Sequence, residues 1–182
     1  MSQENPYSAP QAPLHPEKFS KSEIWQVLGT GVVLGSALGA ATNALNGWIG
    51  PTYFAFVFRS NEDLWIKAVI QGILEAGLYG LLNALVFVLI ANYFGRGIRS
   101  VAVVRRYLIS CAVAVLGVWI LGGFGGLLFA PWIGRHPLYR GPFPAPLFDD
   151  PDFCWVAGSL NVAVGACWLI TIIAGYVYAR KK

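Results

Sequence analysis

The chain has 182 residues, 56% of them hydrophobic and only 12% charged, with a mean hydropathy of +0.57. Soluble domains carry roughly 25% charged residues, so an ordinary water-soluble globule is excluded. The same hydrophobicity excludes disorder over most of the length. The formal charge of +4 comes from basic residues that stand singly or beside apolar runs, a pattern that orients a chain in a bilayer and gives no reason to expect nucleic acid as a partner.

Residues 1–20 hold Pro6, Pro10, Pro13 and Pro16 among Ser, Gln and Glu. Such a composition cannot bury enough apolar surface to offset the entropy of ordering, and a disordered tail is expected. Pro10-Gln11-Ala12-Pro13 fits a short polyproline ligand pattern, which also arises often by chance. The tail does not read as a signal peptide, because the apolar run after it outlasts an h-region of about 7–15 residues. Residues 21–182 are expected to form the membrane domain.

Four apolar segments follow, about 24–48, 65–94, 107–130 and 153–178. Each exceeds the ~20 residues that span ~30 Å of hydrocarbon at 1.5 Å per residue. Long runs without two-residue alternation must be helices in lipid. The expected fold is an all-α membrane protein, a bundle of four transmembrane helices.

Nine basic residues lie in the tail, the middle loop and the C-terminal end, against four in the first and third loops, which also carry Glu62, Asp63, Asp149, Asp150 and Asp152. The positive-inside rule then puts both termini and the middle loop in the cytoplasm of a plasma membrane or bacterial inner membrane. Trp48, Trp65, Trp132 and Trp155 mark the outer ends of the four segments, as indole prefers the headgroup level. Trp48-Ile49-Gly50 and Trp132-Ile133-Gly134 stand at matching places, each followed by acids before the next Trp. That match fits two parallel-repeated hairpins, although any outer interface collects such residues.

The first segment repeats Gly31, Gly35, Gly39, Asn43 and Gly47 every four residues, giving a nearly bare face suited to close helix approach. The second repeats Lys67, Gln71, Glu75, Tyr79 and Asn83, with the small row Ala68, Gly72, Ala76, Gly80 and Ala84 beside it. Gly31, Gly35, Gly39, Gly72 and Gly80 are therefore the expected packing residues. In the third, Gly122, Gly123, Gly125 and Gly126 surround Phe124, fitting a hinge or a tight contact. The fourth offers Ala163, Cys167, Thr171, Gly175 and Ala179 as a further packing face.

Glu75 is the one acid well inside a span, ten residues beyond Trp65, or about 15 Å deep. A charge at such depth costs at least ~2.5–3.5 kcal/mol on insertion scales, which favours the neutral acid at rest. Such a group can carry a proton, bind a cation or act as hydrogen-bonding glue. The candidate proton or substrate site is Glu75 with Gln71, Tyr79, Asn83, Asn43 and Asn161; equal depth suggests a bond between Gln71 and Asn161. Trp119 and Trp168 lie deeper than belt residues; ordinary core packing accounts for both, and they are also candidate neighbours of Glu75. The aromatics of the first and third loops, Tyr53, Phe54, Phe56, Phe58, Phe143 and Phe148, are expected on the headgroup layer. Arg96, Arg99, Arg105 and Arg106 form a basic loop suited to anionic lipid headgroups.

Cys111, Cys154 and Cys167 make no CxxC pair and no cluster with histidine, and His136 beside the third-loop aspartates lacks ligand spacing, so no metal site, disulfide or cofactor is expected. No nucleophile and base share a depth, which leaves an enzyme the least supported class. The favoured reading is a non-catalytic bundle that packs with itself as an oligomer, with lipids or as a subunit of a membrane complex. The alternative is a small proton-linked transporter or channel using Glu75.

Overall fold

The computed structural model describes residues 19–95, 100–134 and 141–180. They form helices α1 (Lys21–Ile49), α2 (Pro51–Phe58), α3 (Leu64–Phe94), α4 (Val101–Gly134) and α5 (Pro151–Arg180), with a 3-10 turn at Ala145–Asp149 before the last. No strand occurs among the described residues. Four of the helices, α1, α3, α4 and α5, are long and apolar enough to cross a membrane, as expected for a multi-pass membrane protein. Their bulky aliphatics point outward: Leu74, Leu78, Leu85 and Leu89 on α3 and Val113, Leu121 and Leu128 on α4 are all exposed. So broad an apolar surface suits lipid, not water.

The helices run longer than the hydrophobic pattern alone suggests. Ser20 caps α1: its hydroxyl accepts from the Glu23 amide at 3.2 Å, while the Glu23 carboxylate accepts from the Ser20 amide at 2.9 Å. This capping box satisfies two of the amide donors that a helix start leaves unbonded. Phe19 is buried in the core with Val27, Phe87, Val104 and Tyr178, so Phe19 and Ser20, expected in the tail, belong to the helical bundle. Residues 1–18, including the Pro10–Pro13 motif, lie outside the described residues, as do Arg96, Arg99 and His136.

Around the bundle the order is α1, α3, α5, α4, with the tightest contacts inside the pairs α1/α3 and α4/α5. The α1/α3 seam follows the two small rows. Gly31 faces the backbone of Gly80, Gly35 that of Ala76, and Gly39 that of Gly72. Polar side chains tie the seam to the main chain: Ser36 Oγ donates to the Ile73 carbonyl at 3.0 Å, Asn43 Nδ2 to Ala68 at 3.0 Å and Trp65 Nε1 to Ala44 at 2.9 Å. In the run at 122–126, Gly122, Gly123 and Gly126 make tight contacts inside an unbroken helix, while Gly125 faces open space. A Cβ on Gly122 would stand 2.8 Å from the Gly158 carbonyl oxygen, and one on Gly123 would enter the Trp155 ring at 2.6 Å. Trp48, Trp65 and Trp132 are exposed as belt residues should be, whereas Trp155 turns inward to cover Gly123 and meet Phe124.

The first loop departs most from expectation. Pro51 opens α2, where its missing amide donor and fixed φ suit the first helical position. The helix then packs against α3 and α5. Phe54 is fully buried with Ala68 of α3 and Val156 of α5, and Tyr53 lies among Phe54, Phe143 and Phe153 with ring centroids 5.2–5.7 Å apart. Phe54 therefore belongs to the protein core, not the headgroup layer, and Tyr53 packs half-buried beside it, because α2 inserts its aromatic face between two long helices.

Candidate functional site

The polar row of α3 sits beside its glycine row, so packing α1 onto the small residues turns the row toward α5. Contacts follow in register. Tyr79 meets the edge of Trp168 at 6.3 Å, and Asn83 Nδ2 donates to the Tyr79 carbonyl at 2.8 Å and to Cys167 Sγ at 3.5 Å. Higher up, Gln71 Nε2 donates to Glu75 Oε1 at 2.9 Å. Lys67 Nζ donates to Ser60 Oγ at 3.0 Å in the turn after α2.

Glu75 is exposed, and its surroundings show to what. On one side it borders a central cavity of about 110 Å³ to which all four long helices contribute, through Thr42 and Asn43 of α1, Gly72 and Tyr79 of α3, Trp119 of α4 and Leu160 of α5. On the other it borders an outer hollow of about 340 Å³ with Phe58, Lys67, Ile70, Gln71 and Leu74. A second central cavity of about 100 Å³, bordered by Asn83 and Thr171, shares Leu38, Ala76, Val115 and Cys167 with the first. The two lie end to end along the bundle.

Aromatic clusters stand at both ends. Leu160 borders the first cavity and packs against the cluster of Phe54, Ala68 and Val156 beneath α2. Leu34 and Leu108 border the second and pack with Phe87, Tyr107 and Tyr178, whose rings lie 5.4–6.2 Å apart. Outside the spans, burial pushes the Tyr53 phenol up from its ordinary range, and the Glu75 carboxylate adds to the rise. Glu75 is thus within electrostatic reach of α2. Comparison with known proteins finds no matching family model, curated protein or solved structure. The site has to be read from its own chemistry.

Of the candidate residues, Glu75, Tyr79 and Asn43 share the first cavity, Asn83 borders the second, and Gln71 supports Glu75 from the hollow. Asn161 does not join them. Its Nδ2 donates to the Ala157 carbonyl at 2.7 Å on its own helix, and it borders a separate groove between α4, α5 and the third loop. Gln71 and Asn161 therefore do not pair, because equal depth on two helices does not make equal azimuth. Trp119 lines the cavity with Glu75, and Trp168 reaches the row through Tyr79. Sequence reasoning misses the packing of Tyr53 and Phe54 against the long helices, although Gly50-Pro51 signals a new helix start there. Arg105 and Arg106 are exposed on the first turns of α4. Among the described residues no three His, Cys, Asp or Glu gather as a metal site.

Proposed function

We propose that this is a proton-linked multi-pass membrane protein, a small transporter or channel in which Glu75 takes up and releases a proton at the wall of the central cavity. One observation carries the reading: the only acid deep in a span borders a cavity walled by all four long helices. A carboxyl serving only as glue would spend its oxygens on neighbouring helices, whereas the Glu75 bond is to Gln71 of its own helix. Intramembrane acids at cavities are typical of proton and ion pathways. The test is modification of purified protein by a hydrophobic carbodiimide, which reacts with protonated carboxyls in apolar surroundings. Glu75 is expected to label in a pH-dependent way and Glu75→Gln to lose that labelling; the same labelling in both proteins at every pH counts against the reading.

The reading includes an orientation, with the α2 side outside and both termini in the cytoplasm of a plasma membrane or bacterial inner membrane, supported by the distribution of basic residues. A cysteine at exposed Ala145, in a chain with its own cysteines replaced, is expected to react with an impermeant maleimide on intact cells. Reaction only after lysis reverses the orientation.

The two glycine seams favour a second reading, a packing scaffold associating with itself, with lipids or with a membrane complex, with exposed Arg105 and Arg106 placed to meet anionic headgroups. The pairing of α1 with α3 and α4 with α5 also suits two repeated hairpins. Where the first pair carries α2, the second carries the shorter 3-10 turn at Ala145–Asp149.

A further inference from the structure

The walls of the central cavity select a class of ligand. Leu38, Val115, Leu116, Leu160 and Val164 supply hydrocarbon, and Glu75, which borders this cavity and the outer hollow alike, is the one acid on its wall. A carboxylate in apolar surroundings interacts most favourably with an opposite charge that brings its own apolar body. The rings of Tyr79 and Trp119 border the same space, and aromatic faces attract cations. A hard inorganic cation needs several oxygen ligands, yet among the described residues no cluster of acidic or metal-binding side chains surrounds Glu75.

Resting on the proton-linked reading above, we infer that the cavity binds a small organic ammonium ion, its nitrogen against the Glu75 carboxylate and its apolar body among the aliphatic side chains. The space fits this class. An apolar cavity of about 150 Å³ accepts a benzene ring, and here about 110 Å³ adjoins a further 100 Å³. One ring with a short side chain is the size that the two spaces, which share Leu38, Ala76, Val115 and Cys167, would hold if joined.

The carboxyl cannot hold a proton and pair with a cation at once. Binding to the neutral acid releases its proton to solvent, and binding weakens as pH falls. The other titratable side chains around Glu75 are Lys67 and Tyr79 on α3, Cys167 on α5 and, through its field, Tyr53 on α2. α1 and α4 bring none to the cavity wall among the described residues. Lys67 carries positive charge into the outer hollow, which disfavours a cation there and directs it to the central cavity.

The test is protection of Glu75 from the carbodiimide in detergent-solubilised full-length protein, with benzylammonium as probe and benzyl alcohol as its neutral counterpart. Saturating benzylammonium is expected to slow labelling about ten-fold, the protection shrinking as pH is lowered, while benzyl alcohol gives none. Ala163→Leu, which narrows the cavity, is expected to abolish protection yet leave Glu75 reactive through the outer hollow; Val115→Phe gives the same readout if that variant does not accumulate. Normal labelling without protection overturns the ammonium site and leaves the proton reading standing. Equal protection by benzyl alcohol overturns it as well, and absence of Glu75 labelling above the Glu75→Gln background overturns both.

Discussion

Gly35→Val is expected to separate α1 from α3 and leave little folded protein. A Cβ at position 35 would overlap the Ala76 carbonyl oxygen and lie 3.1 Å from the Gly80 Cα. Both obstacles are main chain, so no side chain can swing aside and the helices themselves must part. Overpacking of a close-packed interface costs about 1–3 kcal/mol when side chains can adjust, and about 3 kcal/mol or more is expected where they cannot. The better helix propensity of valine returns only about 0.5 kcal/mol. Between helices in lipid, close approach and interhelical hydrogen bonds are the main attraction, so parting the seam also weakens the bonds from Ser36 and Asn43. Gly117→Ala is the matched control, since a Cβ added there would meet nothing within 4 Å; it is expected to be neutral or slightly stabilising. Thermal unfolding in detergent, followed by retention as a monodisperse species, checks both. Wild-type stability in Gly35→Val would mean that α1 and α3 do not meet along this seam.

The two faces of the seam are legible in the sequence because their signal is one-dimensional. A four-residue period fixes which residues share a helix face, so Gly31, Gly35 and Gly39 on one segment and Gly72 and Gly80 on another read as packing faces; that the two rows meet comes from the structure. Depth is readable from residue counts, which is why Trp119 stands as a candidate neighbour of Glu75; it is buried and borders the same cavity. Azimuth is not readable in this way. Whether Asn161 points toward α3 depends on how α5 rotates about its own axis, and that rotation is set by Gly158 nesting on Gly122 and Gly126. The same limit hides Trp155, whose ring fills the space left by Gly123. The aromatic first loop reads as an interfacial segment because composition cannot separate aromatics that face lipid headgroups from those wedged between helices. What decides is the corner at Gly50, where a Cβ would stand 2.7 Å from the Asp152 carbonyl oxygen. That close approach brings α2 onto α5.

Phe54→Ala is expected to open the α2 end of the central cavity as well as destabilise the fold. The ring is fully buried against Ala68 and Val156, and truncating a buried Phe costs about 3–5 kcal/mol through lost transfer energy and the void left behind. α2 has only eight residues, too few to hold helical structure alone, so without its anchor it is expected to loosen as a unit. Cys167 is a native reporter because it borders both central cavities. With Cys111 and Cys154 replaced by alanine, a water-soluble thiol reagent is expected to modify Cys167 slowly in the parent and at least about ten-fold faster in Phe54→Ala. Phe56→Ala, at an exposed position on the same helix, separates a general weakening of α2 from loss of the wedge and is expected to leave the rate near that of the parent. If Phe54→Ala unfolds the protein outright, Phe54→Leu keeps an apolar anchor and is expected to give an intermediate rate. An unchanged Cys167 rate in a folded Phe54 variant would show that α2 does not cover the cavity, and that solvent reaches Glu75 between the long helices.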